Sequence, residues 1–352
     1  VVGLVRSTIA TSLVSPIGGV VSIVRPYDDR TPGADGALRV VRLASAGRGR
    51  HPEHAQHLEG VGAGIDDASA SNDALLRALG LYAAAGWEAS AMRWASADEL
   101  ADEAIAVEDL ARLAPIETRD RIRWVEGFAL DDGRPMWLPA VLVHLGLTPS
   151  VEAENFWPAS LSGLAVADNF GRAVLDALLD TIARDALAVA LVRGSTLPVV
   201  SHGDGVGVFD ATSDLGVPVA LAQGRSSFEI GVAAATTIDD AAANAVDDLA
   251  RRRARRALGA YPEEPPPDPS FELGAGTDLA SAPPGSDPID LSKPAIVGRL
   301  QRAGVAGFGV DLTSDEMEAV GLHAVRVVVP GLSPAPPKPG WADHTRLARA
   351  LA

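Results

Sequence analysis

Cysteine is absent from the 352 residues, which excludes disulfides, thiolate nucleophiles and cysteine-held zinc. Lysine is almost absent too: Lys293 and Lys338 are the whole set, and arginine supplies the rest of the positive charge. No run of about 18 apolar residues is free of charge, so no transmembrane helix is read. The opening VVGLVRSTIATSL is too mixed for a secretory signal, and the expected location is the cytoplasm. The first residue is not Met, which suggests trimming or a missing N-terminal segment. Net charge is −16, which argues against a nucleic-acid surface and leaves a basic peptide or protein as the better-matched partner.

What is present is ordinary globular composition, 47% hydrophobic and 22% charged, enough for one large core or two modest ones. The chain is organised around Ser162 to Ala186, a small-residue strand end, a tight turn and a long helix. Leu175, Leu178, Leu179 and Ile182 recur at helical spacing and bury one face, leaving Asp176, Asp180, Ala183 and Arg184 near its edges.

Val20 to Tyr27 and Ala37 to Ser45 read as paired strands around DDRTPGADG. HPEHAQH spaces His51, His54 and His57 three apart, but with no cysteine and with Pro52 inside the run it reads as a solvated loop or helix start, not a metal site. A helix is expected over Asn72 to Ala85, capped by Asn72 and stopped by Gly86. Ser96 to Ala114 reads as an acidic amphipathic helix, and Arg121 to Gly146 as two strands around DDGRP. VPVALA and Phe228 to Ala235 are strands, and Ile238 to Leu258 a third long helix. Its RRRARR suits a helix C-terminus as well as an acidic partner. Pro262 to Pro288 reads as a mobile Pro/Gly-rich loop, residues 332–352 as a Pro-rich tail and C-terminal segment, and residues 1–345 as one domain.

Three segments share one layout: Gly62 to Tyr82, Gly163 to Asp185 and Gly231 to Arg251 each run from small residues through a polar turn into a helix. Three such helices can converge on one cleft, where first turns and polar edges would meet an anion or a metal-bound phosphate.

These residues resemble the YcaO proteins, ATP-dependent enzymes that modify backbone amides of ribosomally made peptides. RIRWVEGFALDDGRPMWLPAVLV looks like the family's Trp-strand, turn and Pro-containing strand, and SGLAVADNFGRAVLDALLDTIARDA like its NGLAAG…ALxExxERDA segment. SDLGVPVALA, VDLTSDEMEAVGLHAVRVVVPGL and the proline-rich tail follow in the family's order. The resemblance implies an α/β fold, a YcaO-like single domain with a mixed sheet and three long motif-bearing helices around a central cleft.

It also implies where ATP and magnesium would be held. The family's SxxxExxER falls on Asp73, Arg77, Gly80 and Leu81, its two later glutamates on Asp180 and Ala183, and its asparagine on Ser162; Arg184 and Asp185 match. Its ExxQ falls on Asp248 and Arg251, and its Gly-Lys-Gly on Gly62, Ala63 and Gly64. Ser162, Asp180, Arg184, Asp185 and Asp248 are thus the remnants of a cofactor site, with Arg77, Gly80, Ala183 and Arg251 at lost ligand positions. The sequence-level expectation is no catalytic residue, no metal and no cofactor, with ATP and magnesium as the alternative. Arg77 is expected to pair with Asp180 or Asp248 unless Arg77, Arg184 and Arg251 take a phosphate directly. Function follows as a non-catalytic subunit of a peptide-modifying complex, dimeric, whose expected partners are a catalytic YcaO protein and precursor peptide, with a leader-peptide-binding protein as a further candidate. The alternative is an active, divergent enzyme forming an azoline, thioamide or amidine.

Overall fold

The computed structural model describes residues 12–32, 38–46, 58–110, 116–157, 160–193, 196–224, 229–259, 274–278 and 288–334. Its strands divide among three sheets. The first is β1 (Val21–Pro32), β2 (Leu38–Ala46) and β3 (Leu58–Gly64), antiparallel and in sequence order.

A second sheet contains β8 (Thr196–Gly203), β9 (Val206–Asp210), β10 (Val219–Gln223), β11 (Ile230–Ala234) and β12 (Gly274–Asp278), ordered β11-β10-β9-β8-β12. Only its β12–β8 edge is parallel among the strand pairs described. The third runs β4 (Arg93–Ala95), β5 (Ile122–Ala129), β13 (Phe308–Asp311), β14 (His323–Val328), β7 (Leu164–Ala167), with β6 (Pro135–Pro139) against β5. The α/β class therefore holds.

Three long helices tie these sheets into a ring. α1 (Asp67–Ala85) packs on β3 and β2 of the first sheet and on β7 and β14 of the third. α2 (Phe170–Arg193) packs on β14 and β7, and across to β11 and β10. α3 (Ile238–Leu258) packs on β11 and β10, and closes the circuit on β3 and β2. Each helix is shared by two sheets, so the edges facing neither sheet are brought toward one another. A fourth helix, α4 (Lys293–Arg302), covers α2 with Ile296, Val297 and Leu300 in the same core.

Close approach requires the small residues. A Cβ on Gly62 would land in the backbone of Ala74 in α1, and one on Gly231 in the backbone of Ala245 and Leu249 in α3. The chain that reads as GVGAG and IGVAAA is thus a pair of seats for helices.

Several boundaries differ from the sequence reading. α1 begins at Asp67, not Asn72: Asp66 accepts from the Ser69 amide while the Ser69 hydroxyl accepts from the Asp66 amide, a reciprocal box stronger than a lone asparagine. Ser96 to Ala114 is not one helix. It forms a single capped helical turn, Ala97–Leu100, then short 3-10 turns, because Leu100, Ile105, Val107 and Leu110 are all pulled into the core beneath β5.

After β6 the chain makes the helical turn Ala140–Val143 instead of a longer strand. Part of Pro262 to Pro288 is ordered: 274–278 is β12, and most of the remainder lies outside the described residues, as do His51, His54, His57 and the tail beyond Pro334. No helix among the described residues is long and apolar enough to cross a membrane.

Candidate functional site

The three long helices meet at mid-length, not at their first turns. Each presents one aspartate that accepts a backbone N–H from its own preceding small-residue segment: Ala63 N to Asp73 Oδ2 at 3.1 Å, Gly163 N to Asp180 Oδ2 at 2.8 Å, and Val232 N to Asp248 Oδ2 at 3.0 Å. Each aspartate also meets an arginine one turn on. Arg77 Nε reaches Asp73 Oδ1 at 2.9 Å, Arg184 Nε reaches Asp180 Oδ1 at 3.4 Å, and Arg252 Nε reaches Asp248 Oδ2 at 2.7 Å. The threefold layout of the sequence is therefore a threefold Asp-x-x-x-Arg device. Gly163 can serve as a donor because its φ of +72° turns the chain where a Cβ would strike the Val327 carbonyl.

Arg251 joins the devices. Its Nη1 donates to Asp73 Oδ2 at 3.0 Å across to α1, and its Nη2 to Asp248 Oδ1 at 3.3 Å on its own helix. Arg184 of α2 lies within electrostatic reach of Asp248, and Arg326 of β14 within reach of Asp180 and Arg184. The result is an alternating series of charges, Arg326, Asp180, Arg184, Asp248, Arg251, Asp73, Arg77, running over three helices and a strand. Arg39 flanks it, paired with Asp247 at 3.1 Å.

Burial opposes ionisation of Asp248, but Arg252, Arg251, Arg184 and the Val232 amide outweigh it and hold the carboxyl far below the usual range. The same contest at Asp73, won by Arg77, Arg251 and the Ala63 amide, leaves that carboxyl lowered as well. Arg251 goes the other way: burial disfavours its charge, and Asp73, Asp248 and Asp247 more than restore it. Arg326 is the exception in the series. At 2% exposure its guanidinium is pushed down to about 10 by burial, and its only hydrogen bond among the described residues runs from Nη2 to the Ser160 carbonyl. Its Nε and Nη1, like Arg251 Nε and Ser162 Oγ, are buried without a hydrogen-bond partner among the described residues.

The residues singled out by sequence do not all come together. Asp180, Arg184, Asp248, Arg251 and Arg77 lie in the series, but Arg77 pairs with Asp73 within its own helix and not with Asp180 or Asp248, because i,i+4 spacing places the two side by side. Ala183 is fully buried, not at an edge, since α2 is covered on all sides from Thr181 to Leu191. Gly80 packs toward Leu164 and Val166. Asp185, wholly buried, accepts from the Ser333 amide at 3.0 Å and so ties α2 to the root of the C-terminal segment. Sequence reasoning gave Asp73 no role of its own and missed Asp247, Arg39 and Arg326; the signal available for Asp73 was its repeat four residues before Arg77, matching Asp180/Arg184 and Asp248/Arg252.

The family model for YcaO, described as an ATP- and Mg2+-binding cyclodehydratase, matches residues 61–333. The chain belongs to the YcaO family. Among solved structures, a heterocyclase in complex with substrate and cofactor aligns with TM-score 0.69 at 17% identity, covering 93% of this chain and 52% of that one. This chain thus spans about half the length of that heterocyclase. YcaO from Methanopyrus kandleri, bound with AMPPCP and Mg2+, aligns with TM-score 0.67 at 18% identity, covering 95% and 92%. The E. coli microcin synthetase McbBCD complex aligns with TM-score 0.61 at 11% identity, covering 90% of each chain. A comparison with curated protein sequences finds no match.

These findings correct the expectation of no cofactor, since the family is one that binds ATP and Mg2+ and the M. kandleri protein holds both a nucleotide analogue and the ion. How this chain's residues fit the two components differs. The oxygens of Asp73, Asp180 and Asp248 each already accept from a guanidinium or a strand amide. Among the described residues no group of three or more His, Asp or Glu side chains is arranged around a common metal position. A magnesium ion needs hard oxygens free to close on it, so these carboxylates as arranged do not fit carboxylate-held metal, whereas the arginines fit phosphate oxygens.

Proposed function

We propose that this YcaO-family chain is a subunit of an assembly that modifies a ribosomally made peptide, and that it supports the reaction without carrying out amide activation itself. It pairs with a catalytically complete YcaO protein and engages the precursor peptide. The observation that supports the reading is the commitment of Asp73, Asp180 and Asp248 to Arg77, Arg251, Arg184 and Arg252 and to backbone amides, which leaves none of these three carboxylates unengaged. The relatives support the setting: one is a heterocyclase solved with its substrate, another a microcin synthetase complex solved with pro-MccB17 bound. A net charge of −16 suits a basic peptide segment better than an acidic one.

The test is co-expression with a catalytically complete YcaO protein and a precursor peptide. The expected result is a complex that co-elutes on sizing, and peptide modification that needs this chain yet survives Asp180→Asn in it. Modification by this chain alone, lost in Asp180→Asn, would instead establish the active, divergent enzyme. A monomer indifferent to both partners would remove the reading.

A further inference from the structure

Six arginines meet four aspartates where the three long helices converge: Arg39, Arg77, Arg184, Arg251, Arg252 and Arg326 against Asp73, Asp180, Asp247 and Asp248. The surplus is cationic before any metal arrives. A divalent ion entering this field meets net repulsion and carboxylates already engaged, while a polyanion meets the reverse. The unmet hydrogen-bonding capacity has the same sign. Arg326 Nε and Nη1, Arg251 Nε and Ser162 Oγ are buried with no partner among the described residues, and all but the hydroxyl can only donate. Arg77, its side chain 44% exposed, ends the series with its Nε on Asp73 Oδ1.

We propose that this charged cluster binds nucleotide phosphate directly on arginine, with Arg77 and Arg251 on the α1–α3 side and Arg326 and Ser162 on the Asp180 side, and that magnesium is dispensable for it. The inference rests on membership of the YcaO family and deepens the subunit reading: the chain keeps a nucleotide site but supplies its positive charge as guanidinium. Arginine holds phosphate by paired N–H bonds and does not draw electron density as a bridging metal does, so such a site senses or stores nucleotide. The opening of the Arg251 bridge between α1 and α3 would report occupancy to the partner subunit.

The experiment is calorimetric titration of the full chain with AMPPCP, once in EDTA and once in excess magnesium, with adenosine and tripolyphosphate as probes of the two halves of the ligand. Saturable AMPPCP binding in EDTA, no weaker than with magnesium, is expected, together with binding of tripolyphosphate and loss of about tenfold in affinity in Arg77→Ala, a variant of an exposed side chain that leaves the core alone. Arg77→Glu should weaken metal-free binding further and make the residual binding magnesium-dependent. Binding only in magnesium, binding of adenosine but not tripolyphosphate, or no effect of Arg77→Ala would each overturn the inference. The two readings fail separately: a chain that binds only with magnesium yet pairs with a catalytic YcaO protein sinks this one alone, and a chain that binds without magnesium but pairs with nothing sinks the other.

Discussion

Arg251→Met is the sharpest perturbation of the site, because one side chain, 12% exposed, stitches α3 to α1 by its ion pair with Asp73 while also pairing with Asp248 on its own helix. Removing one partner of a buried pair while its acids remain costs about 3–5 kcal/mol. Here Asp73 keeps Arg77 and the Ala63 amide, and Asp248 keeps Arg252 and the Val232 amide. Methionine also restores much of the buried stem, so about 2–3 kcal/mol at neutral pH is the expected loss. With unfolding entropy near 2.1 cal/mol/K per residue, 352 residues give about 0.7 kcal/mol/K, so the melting temperature should fall by roughly 3–4 °C.

The pH dependence carries the diagnosis. Both acids have folded-state pKa values below their unfolded ones, so their contribution is complete above the unfolded value of about 3.9 and is lost as pH falls through the lower folded value. In Arg251→Met the depression is smaller, so the loss starts at the same unfolded value but is smaller and is complete at a higher pH. Urea melts of both proteins from pH 8 down to about pH 2 test this, and the gap between them should narrow once pH falls through the variant's folded values. A variant as stable as the parent at pH 7, or a gap that does not change with pH, would refute the bridge as a stabilising contact.

Three other outcomes follow from the packing. His144, whose ring burial and the nearby Arg326 charge lower its pKa to about 4, is neutral in the fold at neutral pH. Its contribution is full above the unfolded value of about 6.5 and falls by about 2–3 kcal/mol toward pH 4, so the slope of stability over that window should flatten in His144→Gln. Gly62→Ala should cost about 1–3 kcal/mol because its Cβ overlaps the α1 backbone, whereas Gly298→Ala in α4, with only ordinary contact to Arg302 ahead of it, should gain about 0.5–1 kcal/mol; thermal melts compare the two. Asp185→Ala leaves the buried Ser333 amide without this acceptor, a loss of about 1–3 kcal/mol, and limited proteolysis should find new cleavage beyond Leu332.

Helix positions were legible wherever an apolar stripe and a cap agreed. Ile238–Leu258 ends at Gly259, in the left-handed conformation that a glycine allows, and the pattern alone places both ends. The 97–110 region misled because its acids alternate with Leu100, Ile105, Val107 and Leu110 at a spacing that mimics a helix, while tertiary burial beneath β5 dictates a series of short turns. The strand pair Thr196–Gly203 and Val206–Asp210 is not legible in the pattern, since Pro198 and the polar run SHGDG between the two hide the alternation. At the site, Asp180, Asp248, Arg77, Arg184 and Arg251 were legible, but which of them pair was not. Arg251 touches Asp73 178 residues away, and Arg326 reaches Ser160 across a sheet, contacts that depend on the ring of helices and sheets closing.

The same geometry changes what the aspartates mean. Read as remnants, Asp180 and Asp248 are glutamates shortened by one methylene and therefore weakened ligands. In the structure the short side chain has a positive use: a carboxylate on a helix edge can accept an amide from the strand beneath only if it stays close to its own backbone, and Asp73, Asp180 and Asp248 all do so at 2.8–3.1 Å. Each clamp fixes its helix against its own sheet, and each then holds an arginine one turn away, so acid and base are retained as a unit whether or not a metal is present. Counting carboxylates therefore does not separate a metal-using cleft from a metal-free one. What the structure does place between α1 and α3 is the guanidinium of Arg251, a cation that keeps its proton and that a chelator cannot remove, so the effect of EDTA on ligand binding tells the two kinds of site apart.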